Sequence, residues 1–524
     1  MRPLVRVVTS AESSNADAAA IAGGIPSRAL MQRAGAGAAS EIALRYRDRL
    51  DRGVTILAGP GNNGGDAWVV ARALATGGVR VTVVEPIPAK TTDCAAERAL
   101  AVQMLDADAL VTGDAAQSLT GRADLIIDGL LGTGANGAPH GAIALLIDAA
   151  NEARSRGAAI VGLDVPSGLD ASTGSTPGSA ITADLTLTFA TMKRGHVVNR
   201  GICGTIVVLD IGLGRPDPLS RAPSLVDEHW VAGAVPRTLP EAHKGTRKKL
   251  VIVGGHEGMA GATILAARAA LRSGVGMVKL VVAPASVRVI QEAEPHALAA
   301  SWPTDDASVD EEIGKWADVV VIGPGLGRQE ESRALLERVL RRWKGPTLLD
   351  ADAITLFERR TDDLALLLAQ RSALLTPHPA EFARLTGSTV DDVLAARFET
   401  AMPLASQLGA AILLKGVPTI VTANDGRRLV SAAGTAVLAT GGSGDVLSGI
   451  AGTLLAQTND AFVAGAAAAW VHGRAAERVP QTPGEIRGLT LDDVVNELRG
   501  GWTFDTRPAR YPVLAELPAL AADR

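Results

Sequence analysis

The sequence predicts an α/β protein in two domains, each a mostly parallel sheet covered by helices. Short apolar runs alternate with amphipathic stretches along most of the chain, which is the rhythm of strand, helix, strand. Within each run Val, Ile and Leu are almost continuous, so the strands are buried on both faces. The rhythm stops in mid-chain, in the proline-rich segment 212–224. A chain of 524 residues is too long for one ordinary core. At about 100–200 residues per domain it predicts two to four, and the break favours two.

The elements follow in order. A helical opening ends in LMQRAGAGAASEIALRY, and the runs VTILA, VRVTVVE, ADLIID, AAIVGLD, ADLTLTF and TIVVLD are the strands of the first domain, residues 1–215. A linker at 216–225 leads to a second domain, 226–504, whose strands are KLVIVGG, VKLVVAP, DVVVIGPG, PTLLDAD, SALLTPHP, AAILLKG and PTIVTAND. Two Ala-rich helical stretches follow from Ser443 to about Val479, and residues 505–524, with several prolines and arginines, are expected to form a loose tail. The halves share no sequence period, so they are not a duplication.

Composition narrows the function. The chain is 47% hydrophobic with 3% aromatic residues, which suits close-packed layers of helix on sheet and excludes a disordered chain. Net charge is −5 with an isoelectric point near 6.0, and the only basic cluster is Arg247, Lys248 and Lys249, which argues against a nucleic-acid partner. Cys94 and Cys203 are too few and too far apart for a disulfide framework or a thiolate metal site, and read as packing residues in a reducing cytoplasm. The polar AESSNAD stands where a signal peptide would need its apolar run, and no uninterrupted apolar segment reaches the roughly 18–20 residues that span a bilayer. A soluble cytoplasmic protein with no membrane partner is expected.

Two glycine-rich strand-to-helix turns carry the chemistry. In AGPGNNGGD, Ala58–Asp66, glycines let backbone amides approach an anion, and a helix starting near Gly65 adds its positive dipole end. IIDGLLGTG, Ile126–Gly134, and LDVPSGLD, Leu163–Asp170, also follow buried strands, and in a parallel sheet the carboxyl ends share one edge, where ligands bind. Asn63, Asp128, Asp164 and Ser167 are therefore expected to converge. Their oxygens, without His or Cys, favour a hard cation over zinc. Asp164 is the acid/base candidate, with capping of the DVPSG turn as the alternative.

The second turn, ATGGSGD, Ala439–Asp445, opens a buried helix. Amides at Gly442–Gly444 are expected to face a phosphate, and Asp445 directly beside an anion is a placement that structure alone would avoid. LLKGVPTIV fits two strands joined by a tight turn that offers Lys415, Gly416 and Thr419 to a nucleotide. GPGLG at 323–327 and TPHPAEF at 376–382 also end apolar strands, and His378 lies between two prolines.

GPGNNGGD, DGLLGTG and DVPSGLD together resemble the epimerase domain of the NAD(P)H-hydrate repair enzymes. The resemblance implies a Rossmann-like three-layer fold, K+ held by Asn63, Asp128 and Ser167, and hydrate contacts at Asn62, Asn63, Gly64, Gly65, Asp66, Gly132, Thr133, Gly134, Ala135, Asn136, Gly137, Ala138 and Asp164. Lys193 matches a lysine commonly found there. Ala67 departs from the family, which usually carries Gly at that place. GGSGD resembles the anion hole of ribokinase-like kinases, and with AHKGT and GMAGATILAARAALRSGVG it resembles the ADP-dependent NAD(P)H-hydrate dehydratases, three-layer proteins of that fold. This second resemblance implies hydrate contacts at Ala262, Gly325, His378 and Asp445, nucleotide contacts at Lys415, Gly416, Val417, Pro418, Thr419 and Gly444, Mg2+, and ADP as co-substrate. Its mechanism would have Asp445 take the C6-hydroxyl proton while a phosphoryl group transfers, after which phosphate leaves. A homo-oligomer is expected by resemblance alone. Two other readings stay open on the residues themselves: a ribokinase-type small-molecule kinase, and a first domain that binds a dinucleotide without reacting it.

Overall fold

The computed structural model describes residues 4–106, 108–112, 123–214, 217–479, 486–505, 507 and 509–520. They fall into two compact units, Val5–Ala222 with Arg507–Leu520, and a second centred on Pro223–Thr506.

In the first unit the strands are β1 (Val7–Val8), β2 (Val54–Ala58), β3 (Val81–Glu85), β4 (Leu110–Thr112), β5 (Leu125–Gly129), β6 (Ala159–Leu163), β7 (Leu185–Phe189), β8 (Met192–Lys193) and β9 (Thr205–Leu209). The main sheet runs 9-7-6-5-2-3-4, parallel throughout. Neighbouring residues of one strand face different cores: Ile56, Ile127 and Val161 join one cluster, while Leu57, Ile126 and Ile160 join the other. A strand in a two-sided core loses side-chain burial worth about 1.5–3 kcal/mol wherever a polar residue interrupts it, hence the unbroken apolar runs. Order reverses between β2 and β5, and the resulting crevice outside their carboxyl ends receives GPGNNGG and DGLLGTG. The short β1 and β8 pair parallel to each other, which anchors the backbone of Lys193.

The second unit holds β10 (Ser224–Leu225), β11 (Lys249–Val253), β12 (Met277–Val282), β13 (Leu298–Ser301), β14 (Val319–Ile322), β15 (Thr347–Leu349), β16 (Ala373–Leu375), β17 (Ala411–Leu414), β18 (Thr419–Thr422) and β19 (Arg428–Ser431). Their order is 10-19-18-17-16-15-14-11-12-13, with β17, β18 and β19 joined antiparallel and the other pairs parallel. The same two-sided burial holds, with Leu250 and Ile252 in one core and Val251 and Val253 in the other. The switch point lies between β11 and β14. The Ala-rich stretches form helices Ser443–Thr458 and Ala461–Arg478.

Two expectations need correction. Within the expected linker, Leu219 and Ala222 pack into the first core while Ser224 and Leu225 already pair with β19, so the division between the units falls between Ala222 and Pro223. The expected tail is also structured over β20 (Val513–Leu517), which pairs antiparallel with β9 and closes an otherwise open sheet edge. Ala515 and Leu517 turn inward and Glu516 outward, where it meets Arg45 at 2.7 Å. Among the described residues no helix is long and apolar enough to cross a membrane.

Candidate functional sites

A cavity of about 520 Å3, within the range of small-molecule sites, opens at the first switch point. Asn62, Asn63, Asp66, Gly132, Asp164 and Lys193 are in its wall. Asp164 follows β6 with φ +59, a left-handed backbone that L residues seldom adopt, and such strain marks functional sites. Its carboxylate does not cap the DVPSG turn. It accepts a close hydrogen bond from the Lys193 ammonium and one from Thr188 Oγ1 at 3.2 Å, while Lys193 also donates to Thr188 Oγ1 at 2.9 Å. Lys193 is almost wholly buried, and the Asp164 carboxylate is its ion-pair partner.

Two further carboxyls share the cavity. Burial, reinforced by the nearby Asp164 charge, holds Asp66 well above the ordinary carboxylate range. Burial also raises Asp17, which Lys193 partly opposes. Asp17 escapes the motif reading because it stands on the helix Ser10–Ala22, away from any glycine turn. The site thus combines an ion-paired carboxylate, two carboxyls raised by burial and one cation.

Of the oxygen set, Asn63 is in the cavity wall while Asp128 and Ser167 do not line it. Ser167 donates to Asp128 through its amide at 2.8 Å and its hydroxyl at 2.6 Å, and Ser167 Oγ accepts from Leu131 N at 2.9 Å. Burial raises Asp128 to about 6, against these hydrogen bonds. Asn63 donates to Leu131 O at 2.7 Å, while its own Oδ1 is buried without a partner. Asn63 and Ser167 therefore meet at Leu131, and Asp128 joins them through Ser167.

Several glycines serve packing rather than ligand approach. A Cβ on Gly64 would lie 1.8 Å from Gly59 O, and one on Gly65 would lie 2.5 Å from Met31 Sδ. Neither lines the cavity, nor do Asn136, Gly137 and Ala138, whereas Thr133, Gly134 and Ala135 do. The helix begins at Asn62, three residues before the expected Gly65. Ala67 is fully buried with its Cβ 2.6 Å from where a Cβ of Gly129 would stand, so the bare Gly129 accommodates its methyl.

In the second unit Gly442, at φ +94, caps the helix Ser443–Thr458 and puts Asp445 in its first turn. Lys415, one residue past β17, lies 2.9 Å from Asp350 Oδ1 and 3.8 Å from Glu381 Oε2. Burial opposes its charge, but Asp350 and Glu381 more than offset that and raise its pKa. A Cβ on Gly444 would sit 3.1 Å from Lys415 Nζ, which fixes the glycine turn directly over this ammonium. Burial, then Asp350, lifts Asp445 to about 7 despite Lys415, where a general base is most effective. Gly444→Ala is expected to melt close to the parent, since Gly444 has no positive φ and the methyl meets only the Lys415 head and Asp350.

His378 is the N-cap of the helix Pro379–Thr386, its Nδ1 accepting from Ala380 N at 3.1 Å and Glu381 N at 3.3 Å. Glu381 in turn accepts from His378 N at 2.8 Å, so His378, Glu381, Lys415 and Asp350 form one polar chain. Gly325, at φ +58, lies against Ala262, 3.2 Å from its Cβ to a Cβ built on the glycine. Thr419 closes the β17–β18 turn by donating to Gly416 O at 3.1 Å, and Val417 is exposed there. The motif reading missed Asp350, which also accepts from Thr376 Oγ1 and Ser448 Oγ, both at 2.8 Å. Its signal was a carboxylate directly after the buried run TLL, without a glycine to flag it.

Residues 250–499 match the family described as NAD(P)H-hydrate dehydratase, and residues 27–195 match that described as YjeF-related protein N-terminus. The bifunctional NAD(P)H-hydrate repair enzyme Nnr of Escherichia coli K12 is 36% identical over 482 residues, 90% of this chain and 88% of that protein. The chain belongs to the bifunctional NAD(P)H-hydrate repair enzymes. The member of that family from Salinibacter ruber is 37% identical over 505 residues, 90% of this chain and 91% of its own length. Among solved structures, the ADP/ATP-dependent NAD(P)H-hydrate dehydratase from Bacillus subtilis, co-crystallized with ATP/Mg2+, is 30% identical over 53% of this chain and 96% of that one, with a TM-score of 0.48. As an NAD(P)H-hydrate repair enzyme the chain joins an epimerase to a dehydratase, and the two sites lie one in each matched region.

Proposed function

We propose that the first unit interconverts the R and S hydrates of NADH and NADPH at Asp164 and Lys193, and that the second uses ADP to dehydrate the S hydrate, yielding AMP and phosphate. In the first site the Asp164 carboxylate accepts a proton from the substrate while the Asp66 carboxyl, whose hold on a proton is strengthened by burial, supplies one, so that water or the ring nitrogen at C6 can leave and return on the other face. Lys193 positions the Asp164 carboxylate through their ion pair.

In the second site Asp445 takes the C6-hydroxyl proton as the hydroxyl oxygen attacks the terminal phosphorus of ADP. AMP departs, the C6–O bond breaks with the electron push of the ring nitrogen, and loss of a C5 proton restores the dihydronicotinamide. The glycine turn with Lys415 steadies the transferring charge, since phosphoryl transfer depends mainly on positioning and electrostatics. Lys415 to Thr419 and Gly444 hold the nucleotide, and Ala262, Gly325 and His378 hold the hydrate. Mg2+ bound to the nucleotide phosphates would neutralise further charge.

The observation that carries this reading is Asp445, raised to about 7 at a helix start beside Lys415. Incubation of the S hydrate with ADP should yield AMP, phosphate and reduced nicotinamide in equal amounts. Accumulation of a stable phosphorylated product would favour the kinase reading instead. Because a protonated Asp445 cannot act as base, kcat/KM for dehydration should rise with pH up to about 7 and level off above; a profile flat between pH 5 and 8 contradicts the assignment.

The orphaned Asn63 Oδ1, on a side chain linked through Leu131 to Ser167 and Asp128, fits a cation with an all-oxygen shell, and these three residues would hold K+, which would supply a fixed positive charge near the bound hydrate. Replacing K+ by Li+ in the assay should slow epimerisation and leave dehydration of the S hydrate unchanged. Equal epimerisation rates in the two salts would remove K+ from the account.

A further inference from the structure

A second cavity, of about 380 Å3, is lined by residues that follow β14, β15 and β16 of the second unit. Its wall holds Arg328, Arg333, Arg360 and Arg384 with one acidic residue, Glu358, although the chain as a whole is negatively charged. Not all of these cations are neutralised. Arg328 meets Asp352 at 2.8 Å, and Arg360 meets Asp363 at 2.8 Å and Glu337 at 3.3 Å. Arg333 has only Glu330, at 3.8 Å, and no carboxylate among the described residues is paired with Arg384. The wall also includes Thr355, whose hydroxyl is buried without a partner.

The cavity wall is linked to residues of the reaction site. Asp352, held by Arg328, accepts Gly327 N at 3.0 Å through its other oxygen, and its charge acts on Asp445. Arg384 stands on the helix Pro379–Thr386 that His378 caps, and its charge acts on His378. A guanidinium fork matches a phosphate bidentately, and several forks in one cavity favour a multiply charged oxyanion over a carboxylate. The nucleotide phosphates are already assigned to the glycine turn at Gly442–Gly444. We propose that this arginine cavity holds a phosphate of the hydrated dinucleotide, away from the reacting ring, an inference that rests on the dehydratase reading above.

The test is the full chain carrying both Arg333→Gln and Arg384→Gln, two surface positions that leave Asp352 and its partner untouched. The KM for hydrate should rise about tenfold or more while kcat and the KM for ADP stay at parental values. A rise for NADPH hydrate alone places the 2′-phosphate in the cavity; an equal rise for both hydrates places the diphosphate bridge there. Unchanged KM values for both hydrates, or a rise for ADP instead, overturn the proposal. Calorimetric titration of the parent chain with adenosine 2′,5′-bisphosphate and with pyrophosphate needs no turnover. Binding of either probe that weakens in the double variant supports the cavity, and binding of neither by the parent overturns it. Should the parent fail to dehydrate hydrate, the activity reading falls while this titration still decides the cavity.

Discussion

Asp445→Asn should lower the rate of dehydration by about 10²–10⁴-fold, the usual contribution of a positioned general base, and leave epimerisation at the parental rate. The variant keeps the shape of the first turn of the helix Ser443–Thr458 but cannot accept the hydroxyl proton. A structural role predicts a different pattern. The carboxyl has its ordinary value of 3.8 when unfolded and about 7 when folded, so the native state retains a proton that the unfolded chain has released between those values. Asp445 therefore costs stability as pH rises from about 4 to 7, and the full cost persists above 7. Asn carries no such cost. Asp445→Asn should accordingly melt at a higher temperature than the parent at pH 8 and at the same temperature below pH 4. Lost activity together with gained stability marks a functional residue held against folding preference, whereas loss of both would make Asp445 a structural cap.

Asp164→Asn should cut epimerisation by a similar 10²–10⁴-fold and spare dehydration of the S hydrate. It also removes the negative partner of an almost wholly buried ammonium. Breaking a buried ion pair from one side typically costs about 3–5 kcal/mol. Lys193 keeps its hydrogen bond to Thr188 and can fall back on the nearby carboxyls of Asp17 and Asp66, so the loss should lie at or below the lower end of that range. Chiral separation of the two hydrates over time measures the first effect and thermal melting the second. An Asp164→Asn chain that epimerises at the parental rate would leave the first unit as a binding scaffold.

Much of this was legible because parallel sheets put chemistry at one edge. Asp128, Asp164 and Asp445 each stand at or just beyond a strand end or at a helix start flagged by glycines, and the convergence of Asn63, Asp128 and Ser167 follows from adjacent strands alone. Lys193 came only from the family resemblance, since its position depends on the two-residue pairing of β1 with β8, too short to leave a periodic signal. Asp350 follows a three-residue strand with no glycine turn, and Asp17 reaches the cavity from a helix, so neither matches a strand-end motif. Gly64 and Gly65 stand in the motif for a reason the sequence does not separate from phosphate binding: at the helix start Gly64 packs against the backbone of Gly59 and Gly65 against the Met31 side chain. The strand Val513–Leu517 stayed hidden because its partner, β9, lies some three hundred residues away in sequence.

The central claim is that one chain carries two independent sites acting in succession on epimers of one compound. It is tested most directly by supplying an equal mixture of R and S hydrates with ADP and following both epimers and reduced nicotinamide faster than they interconvert spontaneously. The account predicts that the parent chain clears both epimers, that Asp164→Asn clears the S epimer and leaves the R epimer, and that Asp445→Asn equilibrates the two while recovering no reduced nicotinamide. Clearance of both epimers by the Asp164→Asn chain, or recovery of reduced nicotinamide by the Asp445→Asn chain, would contradict it.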